Sequence, residues 1–109
     1  SPLIEKAGTW LNEEMQKITF NKTEIPVISN VDAKPAKDPA QIISKLTDQV
    51  TSSVLWVDSV KYMIEQGVDT FYEFGPKKVL AGMIKKIDRS VKVISIDTLE
   101  DLKKVTGKI

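Results

Sequence analysis

The sequence predicts an α/β fold in which parallel strands are flanked by helices. From Trp56 onward, segments with helical periodicity alternate with short runs of β-branched and aromatic residues. At Gly75-Pro76 an aromatic, strand-like run stops and a helical pattern begins at once, as where a strand passes directly into a helix. Because this alternation is typical of strands joined by crossover helices, the strands of this half should be parallel.

The first element is a helix over residues 2–18. Ser1 can cap a helix and Pro2 suits its first position. Apolar residues then recur at helical spacing and give the helix one apolar face. They are Leu3, Ile4, Ala7, Leu11, Met15 and Ile18. This face has few obvious partners in the stretch that follows, so we expect part of it to be exposed.

The next segment contains one short strand. Ile25–Ile28 has strand-like composition, and Pro26 restricts it to an edge or to the start of a strand. Residues 29–32 follow as a loop. The whole segment from Thr19 to Lys37 is otherwise interrupted by proline, and no second strand is predicted in it.

Two further helices are predicted before the first parallel strand. Asp38 and Pro39 repeat the cap-and-proline start, and the buried face of that helix consists of four residues. They are Ile42, Ile43, Leu46 and Val50. After a break at residues 51–53, a helix begins near Trp56 and ends at Gly67, which suits the position after a helix C-terminus. Trp10 and Trp56 are interpreted as packing residues.

The last part of the chain alternates strand and helix. Val68–Phe74 is a strand, Lys77–Ile87 a helix, and Val91–Ile96 a strand that is apolar enough to be buried on both faces. Thr98 and Asp101 resemble a capping box for a final short helix. Its apolar residues are Leu99, Leu102 and Val105.

Composition excludes several classes of function. The 109 residues suffice for at most one domain, and with 16 basic and 15 acidic residues the net charge of +1 favours neither nucleic acid nor a membrane surface. The absence of cysteine and histidine argues against a zinc or other transition-metal site and is compatible with a reducing cytoplasm. No apolar run approaches the roughly 20 residues of a membrane span.

Several segments resemble malonyl-CoA:acyl-carrier-protein transacylases, in the same order and at compatible spacing. The most telling is the Glu-x-Gly-Pro-x-x-x-Leu pattern formed by Glu73, Gly75, Pro76 and Leu80. The similar segments are Ile18–Phe20, Ile25–Ala33, Leu46–Val50, Val54–Val60 and Gly67–Ile87, so the similarity covers nearly the whole chain and weakens after Ile96. Lys77 stands where the family often has glycine.

The resemblance implies a fold, a reaction and a place in a longer protein. Members have an α/β-hydrolase-like large subdomain with a ferredoxin-like insertion, a serine in a Gly-x-Ser-x-Gly elbow, a histidine base and a carboxylate-binding arginine. This sequence has neither the elbow nor histidine. Residues 1–109 are therefore expected to be the C-terminal segment of the large subdomain, beginning just after the histidine. The implied partners are malonyl-CoA, acyl carrier protein and the upstream portion of the enzyme. The coenzyme A thioester is a substrate, and no cofactor is implied.

The resemblance also assigns candidate site residues. Gln49 matches the family position whose backbone carbonyl orients the catalytic histidine; otherwise it is a polar residue at a helix C-terminus. Asn30 and Asp32 follow a strand near the family's active-site region, with Asn30 a candidate substrate-binding residue, although turn formation explains both. Gly75-Pro76 is either a tight connection, which we favour, or a helix N-terminus that binds an anion.

A basic cluster near the end of the chain is a candidate docking patch for the carrier protein or for coenzyme A phosphates. It comprises Lys77, Lys78, Lys85, Lys86 and Arg89, with Lys92 nearby. A solvated helix face is the alternative interpretation. No aromatic residues interleave with these side chains, so binding of single-stranded nucleic acid is not predicted.

Three functions remain open from the sequence. The chain is part of a malonyl transferase of fatty acid biosynthesis, part of an acyltransferase domain of a polyketide synthase, or a non-enzymatic α/β binding module. Since the acyl-selecting residues of the family lie mostly upstream, the sequence offers little to separate the first two.

Overall fold

Residues 1–76 and 78–107 are described by a computed structural model, in which the chain divides into two units. Unit 1 is Ser1–Tyr62 and unit 2 is Met63–Ile109. The helix α3 (Trp56–Glu65) contains the boundary between them.

Unit 1 begins with the predicted helix, α1 (Pro2–Gln16), which packs on α2 (Pro39–Gln49). Gly8 is buried where the helices approach, and the Asn12 side chain donates to Thr47 Oγ1 at 3.0 Å. The Ser1 side chain makes no capping hydrogen bond, whereas the Asp38 carboxylate accepts from the Ala40 amide at 2.8 Å, as predicted for a cap.

A β-hairpin joins these helices. Strand β1 (Val27–Ser29) pairs antiparallel with β2 (Lys34–Ala36), so that Ile28 lies opposite Pro35. Strand β2 was not predicted from the sequence because Pro35 lacks an amide hydrogen and argues against a strand. Here the sheet has two strands, and a proline is tolerated at its edge.

Unit 2 contains the predicted parallel pair, which confirms the α/β fold. Strands β3 (Thr70–Phe74) and β4 (Lys92–Ile96) pair in parallel, with Thr70 opposite Lys92 and Phe74 opposite Ile96. Helices α4 (Val79–Ile87) and α5 (Leu99–Thr106) both contact β4.

The boundaries in unit 2 differ from the prediction for local reasons. Strand β3 starts at Thr70, not Val68, because the Val68 amide donates to the Met63 carbonyl and closes the end of α3. Gly67, with φ of 99°, occupies the left-handed conformation that such a helix end requires. The predicted start of α4 at Lys77 lies outside the described residues; the helix is formed from Val79 onward.

Burial of β4 is less complete than its sequence suggests. Ile96 is buried, but Val93 and Ile94 are half-buried and Lys92 is exposed, so the prediction of a strand buried on both faces is wrong for this chain. In the described residues, β4 belongs to a sheet of only two strands. Such a sheet does not have both of its faces covered as a larger parallel sheet does. The capping box of α5 is confirmed: Thr98 accepts from the Asp101 amide, and the Asp101 carboxylate accepts from the Thr98 amide.

Several apolar side chains are exposed, as predicted for the first helix. Leu3 is 78% exposed and Ile4 is 45% exposed, although Met15 on the same helix is buried. Trp10 is 63% exposed, so most of its surface does not pack against the described residues and its interpretation as a packing residue is wrong here. Trp56 is half-buried. Within residues 1–76 and 78–107, every helix is too short or too polar to cross a membrane.

Candidate functional site

Unit 1 contains a cavity of about 330 Å³ bounded by the hairpin and by helix α2. Its wall is mostly apolar and consists of residues from the hairpin, from α2 and from the segment before α3. The apolar lining residues are Val27, Ile28, Ala36, Ile42, Leu46 and Val54, and the polar ones are Ser29, Asn30, Lys45 and Gln49. A concave apolar surface with a few polar groups is the usual form of a binding site.

The structure brings Asn30 and Gln49, two residues predicted from the sequence, to this one cavity. Asn30 follows strand β1, and its backbone carbonyl accepts from the Leu55 amide at 2.7 Å, which ties the segment before α3 to the hairpin. The Ser29 hydroxyl accepts from the Val31 amide at 3.2 Å and stabilises the turn that holds Asn30.

Gln49 is the last residue of α2, where helix carbonyls lack intrahelical partners. The preceding two carbonyls, of Thr47 and Asp48, accept from the amides of Val50 and Thr51 at 3.2 Å each. Within residues 1–76 and 78–107, no side chain and no loop amide donates to the Gln49 carbonyl. Its side-chain Nε2 is buried and likewise lacks a hydrogen-bond partner in the described part of the chain.

Asp32 has a structural role beside the cavity. Its carboxylate pairs with Lys45 Nζ at 3.1 Å and accepts from the Lys34 amide at 3.1 Å. Partial desolvation raises the pKa of Asp32, but the Lys45 and Lys34 hydrogen bonds outweigh it, so the pKa is lowered overall. These contacts agree with the turn interpretation of Asp32. The ion pair links the hairpin turn to α2.

In unit 2, the N-terminus of α4 is occupied by a carboxylate of the chain itself. Glu73 Oε2 accepts from the Leu80 amide and Glu73 Oε1 from the Ala81 amide, both at 2.9 Å. The Gly75 amide donates to the Ile96 carbonyl at 3.0 Å and continues the ladder between the strands. Gly75-Pro76 is therefore a tight connection, as favoured from the sequence, and Glu73 occupies the Leu80 and Ala81 amides that an external anion would use.

Sequence reasoning missed the role of Glu73. The signal in the sequence was indirect, because Glu73 stands on the strand before the turn that leads into α4, and carboxylates are favoured near a helix N-terminus. The sequence did not show which amides the carboxylate caps, because they lie seven and eight positions further along the chain.

The residues of the basic cluster differ in the contacts that they make. Lys85 Nζ donates to the Val91 carbonyl and so joins α4 to the start of β4. Lys78, Lys86 and Arg89 are exposed, and none of the ion pairs in the described part of the chain includes them. Lys77 lies outside the described residues. Lys85 is exposed as well, so the described cluster offers four exposed cations as a candidate docking patch.

A metal centre finds no support in the described ranges. No group of three or more aspartate, glutamate, histidine or cysteine side chains is placed there to hold an ion.

No protein-family model matches the chain. Among curated proteins, it is 44% identical to the malonyl CoA-acyl carrier protein transacylase of Staphylococcus aureus (strain COL) over 89 residues, which are 82% of this chain and 29% of that protein.

Solved structures agree with this match. A malonyl CoA-acyl carrier protein transacylase from Clostridium perfringens superimposes with a TM-score of 0.84 and 40% identity over 94% of this chain and 33% of that one. The malonyl-transacylase in complex with a holo type II polyketide synthase acyl-carrier protein superimposes with a TM-score of 0.84 and 29% identity, over 97% and 35% of the two chains.

Fold and relatives together place the chain among the α/β-hydrolase-like acyl transferases. The chain belongs to the malonyl CoA-acyl carrier protein transacylase family. It spans about three tenths of the length of the Staphylococcus aureus relative.

Proposed function

We propose that this chain is the C-terminal segment of an enzyme that moves a malonyl group from coenzyme A to the thiol of acyl carrier protein. The reaction proceeds through a serine ester and belongs to fatty acid biosynthesis in the cytoplasm. The observation that carries the proposal is the 44% identity to a curated transacylase over 89 residues. The serine, its histidine base and the carboxylate-binding arginine belong to the upstream portion.

The proposed contribution of this segment to chemistry is the Gln49 carbonyl. A carbonyl acceptor on one ring nitrogen of a histidine fixes the tautomer that leaves the other nitrogen free as a base. The position of this carbonyl at the end of α2, with no donor from a loop amide or side chain in the described residues, suits that role. Asn30, on the same cavity, is the proposed substrate-binding residue.

The proposed contribution to carrier binding is the patch formed by the described residues Lys78, Lys85, Lys86 and Arg89. Exposed cations attract an acidic carrier protein or the coenzyme A phosphates, and they raise the rate of encounter. One structural relative is a malonyl-transacylase in complex with an acyl-carrier protein, which supports a protein partner of this kind.

The 109-residue chain by itself is expected to be inactive. Serine acyl transfer requires a nucleophile, a base and an oxyanion hole together, and this sequence contains no histidine and no Gly-x-Ser-x-Gly. Malonyl transfer by the purified chain, with contaminating enzyme excluded, would contradict this expectation.

A chimera tests the proposal directly. The 89-residue matched segment of the Staphylococcus aureus transacylase is replaced by the matching residues of this chain, and malonyl transfer from coenzyme A to holo acyl carrier protein is measured. We expect activity within about tenfold of the parent, because a correctly folded segment changes the barrier by little over 1 kcal/mol. A folded but inactive chimera would favour the non-enzymatic binding module.

A polyketide synthase acyltransferase is the second candidate. The type II polyketide carrier in the complex named above favours it. Assaying the chimera with fatty acid and polyketide carrier proteins in parallel compares the two at the docking step.

A further inference from the structure

We infer that the side chain of Gln49 is a positioning residue: its amide donates to a carbonyl oxygen of polypeptide that enters the unit 1 cavity from outside the described residues. The inference rests on the proposed function, because the group to be positioned is the Gln49 carbonyl assigned there to a catalytic histidine. Any residue at position 49 would supply a backbone carbonyl. The inference therefore gives the glutamine side chain a role of its own.

The first support is the state of the amide. Gln49 Nε2 is buried and has no hydrogen-bond partner in the described part of the chain. A buried donor without a partner is strongly disfavoured, and buried polar groups in folded proteins almost always have one. None of the described residues supplies an acceptor, so we assign the acceptor to the occupant of the cavity that Gln49 lines.

The second support is the space and its lining. Gln49 lines a cavity of about 330 Å³ whose walls are mostly apolar. Two other buried, unpartnered groups, Thr23 Oγ1 and Trp56 Nε1, belong to residues outside that lining. Among residues 1–76 and 78–107, Gln49 is therefore the residue at which a missing partner and this cavity coincide.

The third support identifies the occupant as polypeptide. On the cavity wall, Val54 is 60% exposed, Val27 48% and Leu46 45%, which is typical of a surface that packs against other protein. The chain spans 29% of its Staphylococcus aureus relative, so proteins of this family contain much further chain. A backbone carbonyl would accept from the Gln49 amide, and apolar side chains on either side of it would pack against the apolar cavity wall.

The consequence concerns orientation. A hydrogen bond from the side chain fixes the Gln49 residue at the free end of α2, and with it the direction of its carbonyl. A carbonyl that rotates away from the histidine no longer stabilises the protonated ring, which changes the pKa of that histidine. Loss of the side-chain bond should therefore change catalysis and its pH dependence more than substrate binding.

The test uses the chimera with Gln49→Met, which keeps the length of the side chain and removes its donor. We expect kcat to fall roughly 5- to 150-fold, the equivalent of losing one buried hydrogen bond. The KM for malonyl-CoA should hold, and the acid limb of the kcat/KM profile should move to lower pH. The matched control is Thr23→Val, which removes a buried hydroxyl from a residue outside the cavity lining and should leave kcat unchanged.

A crystal structure of the unsubstituted chimera provides a readout that depends on neither activity nor variant folding. We expect a backbone carbonyl oxygen of the Staphylococcus aureus portion within about 3.5 Å of the Gln49 side-chain amide. An amide that faces solvent, or that donates to an ordered water or to substrate instead, overturns the inference, as does wild-type kcat and pH profile in Gln49→Met. An inactive chimera that shows this hydrogen bond supports the inference and contradicts the proposed function.

Discussion

Glu73 Oε2 accepts a hydrogen bond of 2.9 Å from the backbone amide of Leu80, across the turn that joins β3 to α4. Its second oxygen accepts from Ala81 at the same distance. The residue at the N-cap position is Lys78, which makes no side-chain capping bond and has a φ of 52°. A strand residue therefore supplies the cap that the local sequence lacks.

Glu73→Ala should lower the free energy of unfolding by about 0.5–2 kcal/mol, the usual effect of removing an N-terminal cap. Two amides at the start of α4 lose their acceptor, and the helix start should fray. Urea denaturation followed by circular dichroism measures the change. The control is Glu100→Ala on α5, whose exposed ion pair with Lys103 at 3.5 Å contributes little. Equal effects of the two substitutions would refute the capping role.

Gly8→Ala should stabilise the chain by up to about 1 kcal/mol, because alanine has the higher helix propensity. A Cβ at Gly8 would lie 3.8 Å from Val50 Cβ, which is an ordinary contact. Gly82→Ala is the matched control, since no atom lies within 4 Å of its added methyl group. If Gly8→Ala destabilises while Gly82→Ala stabilises, α1 and α2 approach more closely than described.

Gly67→Ala should destabilise the chain by about 1–2 kcal/mol, since φ of 99° is unfavourable for any residue with a Cβ. Added volume is not the cause, because no neighbour lies within 4 Å of the new methyl group. Thermal unfolding of Gly67→Ala beside Gly67→Asn tests this, because asparagine tolerates the left-handed region better. The expected order of stability is glycine, asparagine, alanine.

Stability should fall in acid through Asp101 and Asp88. The backbone amides of Asp97 and Thr98 lower the pKa of Asp101, and the Ser90 hydroxyl and amide lower that of Asp88. A carboxyl with a lowered folded-state pKa stabilises the fold fully above the ordinary value of about 3.9 and loses that effect as pH falls through the lowered value.

The measurement is the urea midpoint at neutral pH and at successively lower pH. Asp101→Asn should lower the midpoint at neutral pH and reduce its further loss in acid, with Asp48→Asn on the exposed face of α2 as the matched control. An unchanged slope below pH 4 in Asp101→Asn would exclude this carboxylate as a source of the acid sensitivity.

Charge reversal of the docking patch should weaken carrier binding. In the chimera, Lys86→Glu combined with Arg89→Glu should raise the KM for acyl carrier protein about tenfold at low salt, with less effect at high salt. A rise in the KM for malonyl-CoA instead would assign the patch to the coenzyme A phosphates. Lys22→Glu, an exposed lysine between α1 and β1, is the control. No change in either KM supports the solvated-face interpretation.

The sequence by itself determined the elements whose signals are local. The cap at Asp38, the capping box of Thr98 and Asp101, and the helix end at Gly67 all depend on residues within a few positions of one another. The alternation that predicted parallel strands is likewise a property of periodicity along the chain. The resemblance placed Asn30 and Gln49 near one site; the structure brings both residues to one cavity, and their roles stay predictions.

The tertiary structure alone decided the relationships between distant residues. Glu73 caps a helix that starts beyond a turn, Lys85 Nζ donates to the Val91 carbonyl, and Pro35 lies in a strand because a partner strand lies beside it. The Gln49 side-chain amide has no partner among residues 1–76 and 78–107, which could not be predicted from the sequence either. Burial and hydrogen bonding depend on which atoms meet in space, and a periodic pattern specifies which face is apolar without specifying what covers it.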